Sequence, residues 1–176
     1  IVDRIQPIAN IAPLYQPQIM IARYANVIAN AADTGYHQGR GEPVSHNGFV
    51  EHITPEVARA AATLLWSGAS YFFQVRAVGG AVSDVAPDAT AYAHRSANFN
   101  IAAMGASKAR LDPAWENVRE YTEGLYLSFE TDRSVERLFN AFPPETLRRL
   151  RELKRAYDPD NVFRDNFNIA PMAAVR

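Results

Sequence analysis

The 176-residue chain has no cysteine. Disulfides and thiolate metal sites are therefore excluded within it, and either redox environment suits it. It has no excess of one charge either. Eighteen basic residues stand against 19 acidic ones, a net charge of −1, too weak a field to draw the protein to nucleic acid or an anionic membrane. No apolar run approaches the roughly 18 residues of a membrane span. Gly-x-Ser-x-Gly, the elbow of serine hydrolases, is missing, and Gly79–Gly80 lacks the rest of any phosphate-loop pattern. Four histidines, His37, His46, His52 and His94, have neither i, i+4 partners nor an accompanying carboxylate spacing, so no metal site is expected. No repeat, low-complexity tract or signal peptide is legible. The chain opens at Ile1 in the middle of an apolar pattern, which reads as truncation. Localisation stays open, with the cytoplasm as the expectation.

What is present is an ordinary globular composition, 48% hydrophobic and 21% charged. Residues 17–31 read as a helix opened by Pro17. Residues 36–53 read as two short strands around Gly39, Gly41, Pro43 and Asn47–Gly48. Thr54 and Pro55 then look like the cap and first turn of a helix with Val57, Ala61, Leu64 and Leu65 inward. Residues 70–78 are aromatic and β-branched and read as a strand, continued past a Gly79–Gly80 bulge over 81–85. A long strand is expected over 91–104, a short helix from Asp112–Pro113 to about Tyr121, and a strand over 124–130. Helices over about 133–141 and 144–156 follow, the second with Leu147, Leu150 and Leu153 inward. The order predicts an α+β fold: an antiparallel sheet with helices packed on one face. By residue chemistry alone, Tyr126 and Phe129 are core residues and the run Arg148, Arg149, Arg151, Lys154, Arg155 is a solvated helix face.

Three blocks carry the sequence further. The first is Leu153-Lys-Arg-Ala-Tyr-Asp-Pro-Asp-Asn-Val-Phe-Arg-Asp-Asn-Phe-Asn-Ile169, followed by Pro171. The second is Gly79-Gly80, then Pro87-Asp-Ala-Thr-Ala91, then His94-Arg95. The third is Gly124-Leu-Tyr-Leu-Ser-Phe129. In order and spacing they resemble the C-terminal region of berberine-bridge-enzyme-like, FAD-linked oxidoreductases, over roughly residues 10–171. The resemblance implies a substrate domain over 1–157, whose sheet lies over a flavin ring, and a segment over 158–176 that completes the FAD-binding domain. It implies FAD as cofactor, held mainly by parts outside these residues, and a small-molecule substrate. The expected partners are that substrate and the remainder of the flavin domain. An uncovered sheet face would favour self-association of the chain alone. A cysteinyl flavin link within the chain is excluded.

The resemblance also nominates residues. Flavin oxidation needs a base opposite the hydride acceptor. The family's second tyrosine of the Gly-x-Tyr-x-Asn-Tyr strand is Phe129 here, and its asparagine is Ser128. Neither Phe129 nor Ala102 can transfer a proton. Tyr126 keeps its hydroxyl and is the candidate base; strand alternation would put it on one face with Ser128 and Glu130. Ser128, Asn166 and Asn168 are the candidate flavin contacts, and Asn100, Ala102 and Phe129 the candidate substrate contacts. Asn161 reads as a turn residue bonded to the backbone. The implied activity is oxidation of an alcohol or amine carbon by hydride transfer to FAD. The alternative is a ligand-binding relative that has lost its redox chemistry.

Overall fold

Residues 72–77 and 99–105 combine aromatic, β-branched and small side chains, and with 44–50 they form one antiparallel sheet. The computed structural model describes residues 2–11, 21–26, 41–165 and 167–172. The chain divides into two units, 1–37 and 38–176. In the first, α1 covers Val2–Ala9, and most of the helix expected over 17–31 lies outside the described residues. The second unit holds β1 (Val44–Val50), α2 (Pro55–Trp66), β2 (Phe72–Ala77), β3 (Phe99–Gly105), α3 (Lys108–Arg119), α4 (Val135–Ala141) and α5 (Pro144–Tyr157).

The strand order is β1-β3-β2. His46 faces Ala103, Asn47 faces Ala102 and Phe49 faces Asn100, while Gln74 and Arg76 face Ala102 and Asn100 from the other side. Alternation gives the sheet two characters. Val44, Val50, Ile101, Ala103 and Phe73 turn toward α2 and α3 and build the core with Val57, Leu64, Leu111, Trp115 and Val118. Fully burying such side chains contributes roughly 1.5–3 kcal/mol each. The other face carries Asn47, Phe49, Asn100, Ala102, Gln74 and Arg76; Asn47, Phe49, Asn100 and Ala102 are buried there, under the Tyr126 segment and the loop that carries Tyr92 and Arg95. The α+β architecture with helices on one face is therefore as the pattern predicts. Thr54 caps α2, its hydroxyl accepting from the Val57 N–H at 3.4 Å, although Leu65 points outward and Ala60 takes the buried place expected of Ala61. In α5, Leu147 is buried and Leu153 is exposed.

Several elements differ from the pattern, each for a local reason. Asn47–Gly48 is not a turn but the centre of β1. Gly48 is required because a Cβ there would lie 2.5 Å from the Thr122 side chain. Residues 81–85 do not extend a strand; Gly80–Val82 is a single helical turn. Residues 91–98 are irregular because Arg95 gathers them: its guanidinium donates to the Tyr92 carbonyl, the Val82 carbonyl and the Thr90 hydroxyl at 2.8–3.2 Å. Helix α3 begins at Lys108, not at Asp112, and includes Pro113. Interior proline costs about 3 kcal/mol, which the burial of Leu111, Trp115 and Val118 on the same helix outweighs.

Residues 124–130 are not a strand. Backbone bonds tie the segment to the edge of β1 at its ends, where Glu123 donates to the Phe49 carbonyl at 2.8 Å and Thr131 to the Ser45 carbonyl at 3.0 Å; between them the contacts come from β1 side chains, Asn47 to Tyr126 and Ser45 to the Phe129 carbonyl. Between those points β1 advances four residues and the segment eight. The surplus leaves the edge as a helical turn over Leu127–Phe129. Tyr126 and Ser128 are consequently exposed while Glu130 is buried, so the three do not share a face.

Replacing Gly48 with alanine forces the Thr122 backbone or β1 to move. Gly48→Ala is expected to destabilise by about 1–3 kcal/mol, read as a lowered urea midpoint with an unchanged slope. A midpoint equal to the wild type would contradict the close approach.

Candidate active site on the open sheet face

The face of the sheet away from α2 and α3, the loop after β2 and Tyr126 of the 123–131 segment border a solvent-open cavity of about 400 Å³, lined in part by Phe49, Arg76, Tyr92, Arg95, Asn100 and Tyr126. Its geometry starts from Asn47. The Asn47 carboxamide oxygen accepts from the Tyr126 N–H at 2.8 Å, and its NH₂ donates to the Tyr126 carbonyl at 2.9 Å. One side chain thus does what a neighbouring strand's backbone would do and fixes the Tyr126 backbone beside the sheet. The same oxygen accepts from the Asn100 NH₂ at 3.0 Å, whose other proton goes to the Gly48 carbonyl at 3.2 Å. Asn100 has then spent both donors, leaving its carboxamide oxygen for a ligand.

Aromatic packing sets the walls. The rings of Tyr92 and Tyr126 meet edge to face at 6.5 Å, and Tyr92 meets Phe49 likewise at 5.7 Å. Phe49 stacks on His94 at 5.0 Å, and His94 in turn contacts the Ala141 carbonyl at 3.0 Å. Gly124 has φ of +65° and lies so close to His94 that a Cβ would come within 2.0 Å of the imidazole; only glycine satisfies both conditions. The second and third sequence blocks therefore meet in space. Tyr92, which the sequence reading did not select, presents a phenol to the same cavity. Burial pushes that phenol above its usual range, against the pull of Arg95, and Tyr92 stays a neutral hydrogen-bonding group.

The remaining candidates fall in different places. Ala102 is fully buried between Asn47 and Gln74 in the sheet and is absent from the cavity wall. Phe129 does not line the cavity either, but its ring carries the Arg76 guanidinium at 4.8 Å. Ser128 is exposed on the turn. Asn166 lies outside the described residues. Asn168 has its carboxamide oxygen buried with no partner among the described residues, a group that demands a donor. Asn161 does not bond the backbone as expected. It adopts a left-handed φ of 52°, which asparagine tolerates, and the Asp158 carboxylate makes the turn by accepting from the Val162 and Phe163 N–H groups at 2.7 and 3.0 Å.

Beneath the site, His46 is the second residue that sequence reasoning passed over. It is buried, stacked on Trp115 at 6.1 Å, and bonded through Nδ1 to Glu130 at 2.9 Å and through Nε2 to Asp112 at 2.8 Å. Lys108 supports Asp112, and Glu130 also accepts from the Thr131 and Asp132 N–H groups. With a carboxylate on each nitrogen, both nitrogens act as donors and the ring is an imidazolium. Burial opposes that charge, but the two carboxylates outweigh it and hold the His46 pKa above its usual 6.5. This bridge anchors the end of the Tyr126 segment to β1 and α3. Among the described residues no group of three ligands could hold a metal ion, and no helix is long and apolar enough to cross a membrane.

The three-stranded antiparallel sheet with its helices superposes on solved structures of berberine-like flavin oxidases. Chitooligosaccharide oxidase superposes with a TM-score of 0.75 at 16% identity, over 98% of this chain and 43% of its own. The BBE-like 1 protein of Physcomitrella patens gives 0.75 at 18%, again over 98% and 43%. By sequence, the FAD-linked oxidoreductase sorD of Penicillium rubens is 25% identical over 131 residues, 67% of this chain and 28% of sorD. Residues 129–170 match the family described as berberine and berberine like. The chain is thus a relative of the berberine-like FAD-linked oxidoreductases, and it spans well under half the length of the relatives it matches.

The His46 bridge gives a pH dependence of known sign. With the folded pKa above 6.5, the native state holds a proton that the unfolded chain has released. Stability from the bridge is full below about pH 6.5 and declines as pH rises through the folded value. Urea unfolding from about pH 6 to 9 should show that decline, and His46→Gln should remove it while lowering stability at the acid end. An imidazole that titrates at or below 6.5 by NMR would contradict the bridge.

Proposed function

We propose that the protein is an FAD-dependent oxidase that takes a hydride from an alcohol or amine carbon of a small molecule. The observation that carries this is the cavity on the sheet face away from α2 and α3, which Tyr126 and Asn100 line together with the aromatic rings of Phe49 and Tyr92. FAD, when bound, supplies the hydride acceptor. Residues 1–157 serve as the substrate domain and 158–176 as part of the flavin domain. The carboxamide oxygens of Asn161 and Asn168, buried and without a partner among the described residues, fit a bound group that brings an N–H, and Asn168 is the residue that would hold FAD. In the same reading Asn166 and Ser128 are its neighbours, and the exposed Tyr157, Val162 and Phe163 side chains pack against the rest of the flavin domain.

The chain's own part is positioning and proton transfer. Tyr126, acting as the phenolate after its own proton has passed to solvent along its exposed edge, receives the hydroxyl or amine proton of the substrate, its backbone held in place by Asn47. The Asn100 oxygen orients a donor group of the substrate. Tyr92 and Phe49 form the aromatic wall beside it. Phe129 acts behind the wall by holding Arg76, and Ala102 leaves room on the sheet face. The name of the relative chitooligosaccharide oxidase supports a polar, hydroxylated substrate.

Tyr126→Phe removes one hydroxyl and keeps the volume. In the FAD-loaded holoenzyme, anaerobic single-turnover flavin reduction at saturating substrate should slow by about 10²–10⁴-fold, with substrate affinity little changed. A rate within about threefold of the wild type, under 1 kcal/mol, would remove Tyr126 as the base. A whole protein that rejects FAD would overturn the oxidase reading itself.

A further inference from the structure

The cavity on the open sheet face is charged in one sense. Two of its lining residues, Arg76 and Arg95, carry guanidinium groups, and no aspartate or glutamate lines it. Four other arginines of the unit pair with carboxylates, Arg59 with Glu56, Arg119 with Glu116, Arg137 with Asp132 and Arg148 with Glu145, while Arg110 and Arg149 hold backbone carbonyls and Arg151 lies over Phe139. Arg95 is consumed by structure, since its donors hold two carbonyls and one hydroxyl of the 82–92 loop. Arg76 is not. Its one hydrogen bond among the described residues goes from Nη2 to the neutral carboxamide oxygen of Gln74 at 3.0 Å.

Arg76 is nonetheless positioned. It sits on β2 opposite Asn100 of β3, and its guanidinium lies over the Phe129 ring at 4.8 Å. Stacking on a ring fixes the plane of a guanidinium and leaves its edge N–H groups free. A planar fork with unspent donors suits a carboxylate, which it can take through two parallel hydrogen bonds. Arg76 is exposed at the mouth of the cavity, where an anion can reach it from solvent, and the second cation at Arg95 adds to the same potential.

We propose that Arg76 is a specificity-determining residue that binds a carboxylate of the substrate in this cavity, so that the oxidised small molecule is an organic acid bearing the reactive alcohol or amine. The proposal rests on the oxidase reading and narrows its substrate class. In place of the family's proton-transferring tyrosine, Phe129 contributes the platform for the anion-binding group. The substitution at Phe129 and the cation at Arg76 are then one feature.

The test is calorimetry on the FAD-loaded holoenzyme and on the same protein freed of flavin, with benzoate as a carboxylate probe and benzamide as its neutral counterpart. Wild type should bind benzoate about 10- to 100-fold more tightly than benzamide, the range a charge-assisted hydrogen-bonded pair provides. Arg76→Gln should abolish that preference and leave benzamide affinity unchanged. Arg76→Lys, which keeps the charge but not the planar fork, should retain an intermediate preference. Equal binding of the two probes by wild type, or benzoate binding undiminished in Arg76→Gln, would overturn the proposal. So would loss of FAD in Arg76→Gln with benzoate binding intact, because the arginine would then serve the flavin. Rejection of FAD by wild type would remove the oxidase reading and the substrate assignment with it, whichever probe binds. A flavin that loads and is reduced by substrate while benzoate and benzamide bind alike would remove the carboxylate subsite alone.

Discussion

The site depends on how the edge of β1 is closed. A strand edge presents backbone donors and acceptors that must find partners. Here the partner is a segment with four residues too many to lie flat against it. The Asn47 side chain resolves the mismatch by pairing with both polar groups of the Tyr126 backbone. Next to it in sequence, and pointing to the opposite face, His46 ties the far end of the segment to the core through Glu130 and Asp112. Two consecutive residues of one strand thus hold the segment from both sides of the sheet. The surplus turn between them places Tyr126 and Phe129 where a regular strand would not.

That arrangement separates stability from chemistry across the sheet. The helix-facing side buries Ile101, Ala103, Trp115 and the His46 bridge, and its contribution is packing and one strong ionic cluster. Breaking such a buried cluster leaves charge without compensation, so its members are structurally coupled. The open side carries carboxamides, phenols and guanidiniums around a cavity, held by hydrogen bonds to the sheet.

Legibility from sequence varied with the range of the interaction. The Thr54 cap and the strand at 72–77 follow from local propensity, and the buried places of Val57, Leu64 and Leu147 from periodicity, while Leu65 and Leu153 face outward against the same pattern. Asn47–Gly48 looked like a turn because that dipeptide is one locally; only Thr122, brought close by α3, explains the glycine in mid-strand. Asp112–Pro113 looked like a helix start, yet the helix begins a turn earlier, placing Asp112 where it pairs with both Lys108 and His46. His46 itself carried no signal, since its partners lie 66 and 84 residues away.

What the sequence determined by itself was the class of the protein. Three blocks in order, together with the alternation of apolar and polar residues, were enough for an α+β relative of FAD-linked oxidoreductases, because short-range patterning and motif spacing are written along the chain. The working geometry was decided only in three dimensions. That Gly124 accommodates His94, that Asn47 carries Tyr126, and that Phe129 supports Arg76 are contacts between residues 30 to 79 positions apart. Such contacts arise from how strands pair and where a surplus residue leaves the sheet, and the sequence does not record that choice locally.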